Sequence, residues 1–78
     1  MTKSVFTEKY NKFREMLVRY RKASGLTQTV LAKKLNIPQP DVSRYENGVR
    51  RVDVVEFLAI SKAIGFDPLE FIKELEDS

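Results

Sequence analysis

The 78-residue sequence predicts a single all-α fold of five short helices. Three observations predict it. No segment alternates apolar and polar residues with period two, so no sheet is expected. Apolar residues recur at helical spacing along the whole chain. All three glycines, Gly25, Gly48 and Gly65, fall just after a helical stretch, where a chain stop belongs. Pattern and punctuation therefore point to the same answer.

The elements follow in order. Phe6, Tyr10, Phe13, Leu17 and Tyr20 are spaced by fours and threes, which puts them on one face of a first helix that Gly25 ends. Thr27 suits the N-cap of a second helix, with Leu26 and Leu31 placed as a hydrophobic staple. Leu31, Ala32 and Leu35 face inward, and Asn36 sits where a left-handed residue stops the helix. A third helix starts near Gln39. Pro38 and Pro40 lie at or before its first turn, where a missing N–H costs nothing, and Gly48 ends it. Asp53 and Glu56 form a capping box for a fourth helix, which Gly65 closes. Asp67, Pro68 and Glu70 open a fifth, with Phe66 stapled to Phe71. No repeat, linker or low-complexity tract interrupts the chain, so residues 1–78 read as one domain.

Composition narrows the function. A chain this small buries only about 60% of its unfolded surface, so nearly every apolar residue has to help. There are no cysteines and no histidines. Disulfides and the usual zinc sites are excluded, and the commonest general base is missing. Ser24, Ser43 and Ser61 have no histidine to activate them, no glycine-rich phosphate loop is present, and the carboxylates read as helix caps, so neither catalysis nor a cofactor is expected. The longest apolar run, Phe57 to Ile60, is far short of a membrane span, and residues 1–13 contain no signal-like apolar region. A cytoplasmic protein is expected.

Charge is unevenly spread: +5 over residues 1–22, +3 over 33–51 and −5 over 53–78. The basic front suits a polyanion, although solvated helix faces produce similar asymmetries.

Only Asn36, Ile37 and Pro38 join the second and third helices, so the two must cross steeply, at helix-turn-helix spacing. Ala32 lets the backbones approach, while Ile37, Val42 and Tyr45 seal the crossing from inside. The opposite face of the third helix holds Gln39, Pro40, Ser43, Arg44 and Asn47. Glutamine pairs with adenine and arginine with guanine O6 and N7, so this face has residues able to read base edges.

The stretch LTQTVLAKKLNIPQPDVSRYENG resembles the helix-turn-helix of the XRE family, the domain of lambdoid phage repressors and Cro. The resemblance runs from about Phe13 to Leu75. It is most specific at Leu26-Thr27-Gln28, Leu31-Ala32 and Tyr45-Glu46-Asn47-Gly48 followed by Arg50-Arg51. It implies a lambda-repressor-like domain with the helix-turn-helix at about 27–47, acting as a transcription regulator, with repression expected. It further implies base reading by Gln39, Pro40, Ser43 and Arg44, and phosphate contacts from Thr27, Gln28, Lys33, Asn47, Arg50 and Arg51. Gln28 would also support the recognition helix. Arg21 and Glu46 match a family pair tying the first helix to the end of the third.

Three positions depart from the family pattern. Val30 stands where a glutamate usually completes the second helix's capping box. Pro38 replaces a Ser/Thr cap. Pro40 replaces a residue able to hydrogen-bond DNA, which leaves direct reading to Gln39 and Arg44.

The expected partner is double-stranded DNA, bound by a homodimer on a near-palindrome. Two apolar stripes are candidates for the dimer surface as well as for the core: Phe71, Ile72 and Leu75, and Phe6 with Tyr10. The alternative is an interaction module, such as an antitoxin that neutralises a toxin and autoregulates through DNA. It would dock through the acidic C-terminal helix, Leu69 to Asp77.

Overall fold

The computed structural model describes residues 5–78, with side chains from residue 7 onward. It contains α1 (Val5–Ala23), α2 (Gln28–Leu35), α3 (Gln39–Glu46), α4 (Val54–Ile64) and α5 (Pro68–Asp77). The expected apolar role of Phe6 lies outside the described side chains.

Local chemistry sets each boundary. The Thr27 hydroxyl accepts from the Val30 N–H at 3.1 Å and caps α2. No side chain at position 30 reciprocates, so the box is half-formed, as the valine implies. Asn36 then adopts the left-handed conformation (φ 58°, ψ 45°), and its N–H bonds back to the carbonyls of Ala32 and Lys33. Pro38 opens α3 in an extended conformation, with no side-chain cap. The capping box of α4 is complete: Asp53 accepts from the Glu56 N–H at 2.7 Å, and Glu56 accepts from the Asp53 N–H at 3.2 Å. Asp67 caps α5 by accepting from the Leu69 N–H at 2.8 Å.

The inward faces converge on Met16 and Leu17 of α1, Leu31 and Ala32 of α2, Val42 and Tyr45 of α3, Phe57 and Ile60 of α4, and Phe71 of α5, all buried. Phe71 is the centre of an aromatic cluster. Its ring lies 5.0 Å from Phe57, 5.1 Å from Tyr20, 5.1 Å from Phe66 and 5.7 Å from Phe13. The Phe66 ring is nearly parallel to that of Phe71, at 21°.

Of the two candidate dimer stripes, Phe71 and Tyr10 are engaged in the fold, Leu75 is partly buried and Ile72 is exposed. Phe71 is fully buried, and the Tyr10 hydroxyl accepts from the Val52 N–H at 3.1 Å. The large apolar side chains left outside on α4 and α5 are Val54, Val55, Leu58, Leu69 and Ile72. Among the described residues, no helix is long and apolar enough to cross a membrane.

Candidate nucleic-acid interface

The three-residue turn between α2 and α3 delivers α3 across α2, and the Ile37 N–H closes it by donating to the Ala32 carbonyl at 3.1 Å. α3 is only eight residues long, too short to be stable alone. Its position comes from what it buries: Val42, Tyr45 and Glu46.

Glu46 is the unusual member of that set. Its carboxylate accepts from Arg21 through Nε at 2.7 Å and Nη2 at 3.0 Å, with both side chains at least nine-tenths buried. Arg21 Nη1 donates to the Leu26 carbonyl at 2.8 Å, so all three guanidinium nitrogens are used. The hydrogen bond to Glu46 holds the guanidinium charged, against the opposing effect of burial. Arg14 donates to the Glu46 backbone carbonyl at 2.9 Å and so ties the C-terminal end of α3 to α1 as well. Gly48 follows at φ 80°, and a Cβ there would sit 3.0 Å from Arg14 Nε. Only glycine combines that backbone conformation with that approach.

The network continues outward. Gln28 Nε2 donates to Glu46 Oε1 at 2.9 Å, and Gln39 Nε2 donates to Gln28 Oε1 at 2.9 Å. A continuous chain of hydrogen bonds thus runs from buried Arg21 to Gln39 at the start of α3. Gln39 retains its carbonyl oxygen and one amide hydrogen, the pair that adenine recognition uses.

The other expected site residues fall into separate arrangements. Pro40 and Arg44 are exposed and Ser43 is half-buried. Asn47 is exposed, and its Nδ2 donates to the Ser43 hydroxyl at 3.3 Å. Arg44 Nη1 pairs with Asp41 Oδ1 at 2.9 Å. Arg50 pairs with Glu56, and the Arg51 guanidinium lies 4.3 Å from the centre of the Tyr10 ring. Lys33 is exposed in the last turn of α2, and Thr27 is exposed while serving as its cap.

Sequence reasoning missed Arg14, Asp41 and the second role of Glu56. Asp41 lies three before Arg44, a spacing that signals their pair, whereas the bond from Arg14 to the Glu46 carbonyl spans 32 residues and had no local signal. The pairing of Arg50 with Glu56 had a weaker signal, since Glu56 already had a role as a cap. Among the described residues no cluster of histidine, cysteine, aspartate and glutamate could hold a metal ion.

The helix-turn-helix family model, HTH_3, matches residues 17–71. An XRE-family-like protein from Pseudomonas syringae pv. tomato is 38% identical, with a TM-score of 0.91 over 94% of this chain and 89% of that one. The restriction-modification controller protein C.Esp1396I is 23% identical, with a TM-score of 0.82 over 96% of this chain and 95% of that one. A point variant of that controller is 22% identical, with a TM-score of 0.81 over 97% and 92%. A search of curated protein sequences found no match.

Proposed function

The chain belongs to the XRE family of helix-turn-helix domains, and from that premise we propose that it is a sequence-specific regulator that inserts α3 into the major groove and represses transcription by occupying an operator. Family membership itself carries the coarser statement, a regulator that binds double-stranded DNA.

The observation that carries the finer reading is the division of α3. Its inward side is locked by Val42, Tyr45 and the Arg21–Glu46 pair, while Gln39, Ser43 and Arg44 are left to meet base edges. Thr27, Gln28, Lys33, Asn47, Arg50 and Arg51 supply phosphate contacts, and the affinity they provide falls steeply with salt. Arg50 and Arg51 reach phosphate by exchanging their resting partners, Glu56 and the Tyr10 ring.

One helix reads only a few base pairs, so the working unit is a dimer on a near-palindrome. The exposed apolar side chains of α4 and α5 are its candidate surface, with a second copy as the occupant.

The test is an unbiased DNA selection with the purified protein at fixed near-physiological salt. Recovery of a two-fold-related motif supports the proposal and gives the half-site spacing. Absence of enrichment above random sequence overturns it and leaves the chain as an interaction module.

A further inference from the structure

Asp41 is the one acid on an otherwise neutral or basic reading helix whose carboxylate stays outside the core pair. It occupies the third position of α3, and its Oδ1 accepts from Arg44 Nη1 at 2.9 Å. Its negative charge also reaches Arg50, whose guanidinium is held charged chiefly by its hydrogen bond to Glu56, with Asp41 and Asp53 adding to the effect. An acid facing DNA phosphates weakens binding, so its position beside Arg44 calls for a reason.

The geometry of the guanidinium supplies one. With Nη1 engaged, Arg44 still presents the edge formed by Nε and Nη2. That edge carries two parallel N–H groups, the arrangement that matches guanine O6 and N7. An unpaired arginine at the same place could equally swing to a phosphate, which carries no sequence information. Pairing with Asp41 fixes the fork and offsets its charge, and both changes penalise phosphate contact more than base contact.

We infer that Asp41 is a specificity-determining residue: it positions Arg44 for guanine and suppresses sequence-independent binding. The inference rests on the proposed reading of bases by α3. The duller explanation is that Asp41 merely favours the start of an uncapped helix. That explanation predicts lower stability and uniformly weaker binding.

The experiment measures binding of wild type, D41A, D41N and R44A to the selected site, to its single-base variants and to random DNA over a range of salt, with thermal melts of each protein. If Asp41 positions Arg44, D41A lowers discrimination at one base pair by about five- to ten-fold, the same base pair at which R44A acts. D41A also binds random DNA at least as tightly as wild type, with a salt slope steeper by about one. D41N keeps an acceptor but not the charge, so it retains part of the discrimination while its salt slope steepens. Unchanged discrimination in D41A and D41N beside a clear loss in R44A overturns the inference and leaves the reading of bases intact. Uniform weakening on all DNA with a lowered melting temperature also overturns it. Absence of base preference in the wild type, with no effect of R44A, removes both the inference and the reading beneath it.

Discussion

Arg21 of α1 and Glu46 of α3 are joined by two hydrogen bonds at 2.7 and 3.0 Å in a site from which water is nearly excluded. The pair ties α3 to α1, the longest helix of the fold. Removing one partner strands the other as a buried charge, which typically costs about 3–5 kcal/mol. Arg21→Met and Glu46→Gln are each expected to lose that much in urea unfolding, a large share of the stability of a domain this small. A loss under about 1 kcal/mol in both would mean that the pair is solvated in solution.

Arg44→Ala is expected to cost roughly 1–3 kcal/mol on the selected site and to flatten discrimination at one base pair. Lys33→Ala is expected to weaken cognate and random DNA alike and to reduce the salt slope by about one. Titrations of both variants against both DNAs check this. A base-specific effect at Lys33, or a uniform one at Arg44, would reverse the two assignments.

Gly48→Ala and Gly25→Ala both force a side chain into the left-handed region, at φ 80° and 76°. That strain alone costs about 1–2 kcal/mol. Gly25 has open space around it, whereas a Cβ at Gly48 presses on Arg14, the residue bonded to the end of α3. Gly48→Ala is therefore expected to be the more destabilising. Equal melting temperatures for the two variants would show that Arg14 yields freely.

Stability is expected to fall at both ends of the pH range. The Tyr20 hydroxyl donates to Glu74 Oε1 at 2.6 Å. That bond, helped by Arg19, holds the Glu74 carboxyl below its ordinary value. A depressed carboxyl stabilises above its unfolded value near 4.5, and this contribution is lost as the pH falls through the folded one. Tyr20 is raised above 10.0, first by its bond to Glu74 and then by burial, while Tyr45 is raised chiefly by burial. Their contribution is complete below about pH 10 and is lost as the pH rises through the folded values. Tyr20→Phe should make the acid limb shallower in a series of urea midpoints against pH. An identical acid limb in this variant would show that Glu74 owes nothing to Tyr20.

What could be read from the sequence follows the reach of the interactions involved. Caps and stops act within about four residues, so Thr27, Asn36, the Asp53–Glu56 box and Asp67 were all legible. The outward set on α3 was legible because helical period separates it from Val42 and Tyr45. The resting partners of the cations were not. Arg51 meets the ring of Tyr10 only after the chain has folded, and the spacing of Tyr10 fitted core and surface alike. The same ambiguity allowed Phe71 as a dimer contact, although it is the most enclosed ring of the aromatic cluster. Asp41–Arg44 is a different case: it lies within one helix at a separation of three, so helical period alone allows it.

The inward triad of α3 also bears on how such a chain can change over time. Stability depends on Val42, Tyr45 and Glu46, so substitutions at Pro40, Ser43 and Arg44 can accumulate with little cost to folding. Gln39 and Arg44 differ from Pro40 and Ser43, because the side chain of each donates to a neighbour, Gln39 to Gln28 and Arg44 to Asp41. On the proposed reading of bases by α3, operator preference would drift quickly at Pro40 and Ser43, while Gln39 and Arg44 would change only in company. A combinatorial library to test this should vary Gln39 together with Gln28 and Arg44 together with Asp41, and leave Pro40 and Ser43 to vary freely.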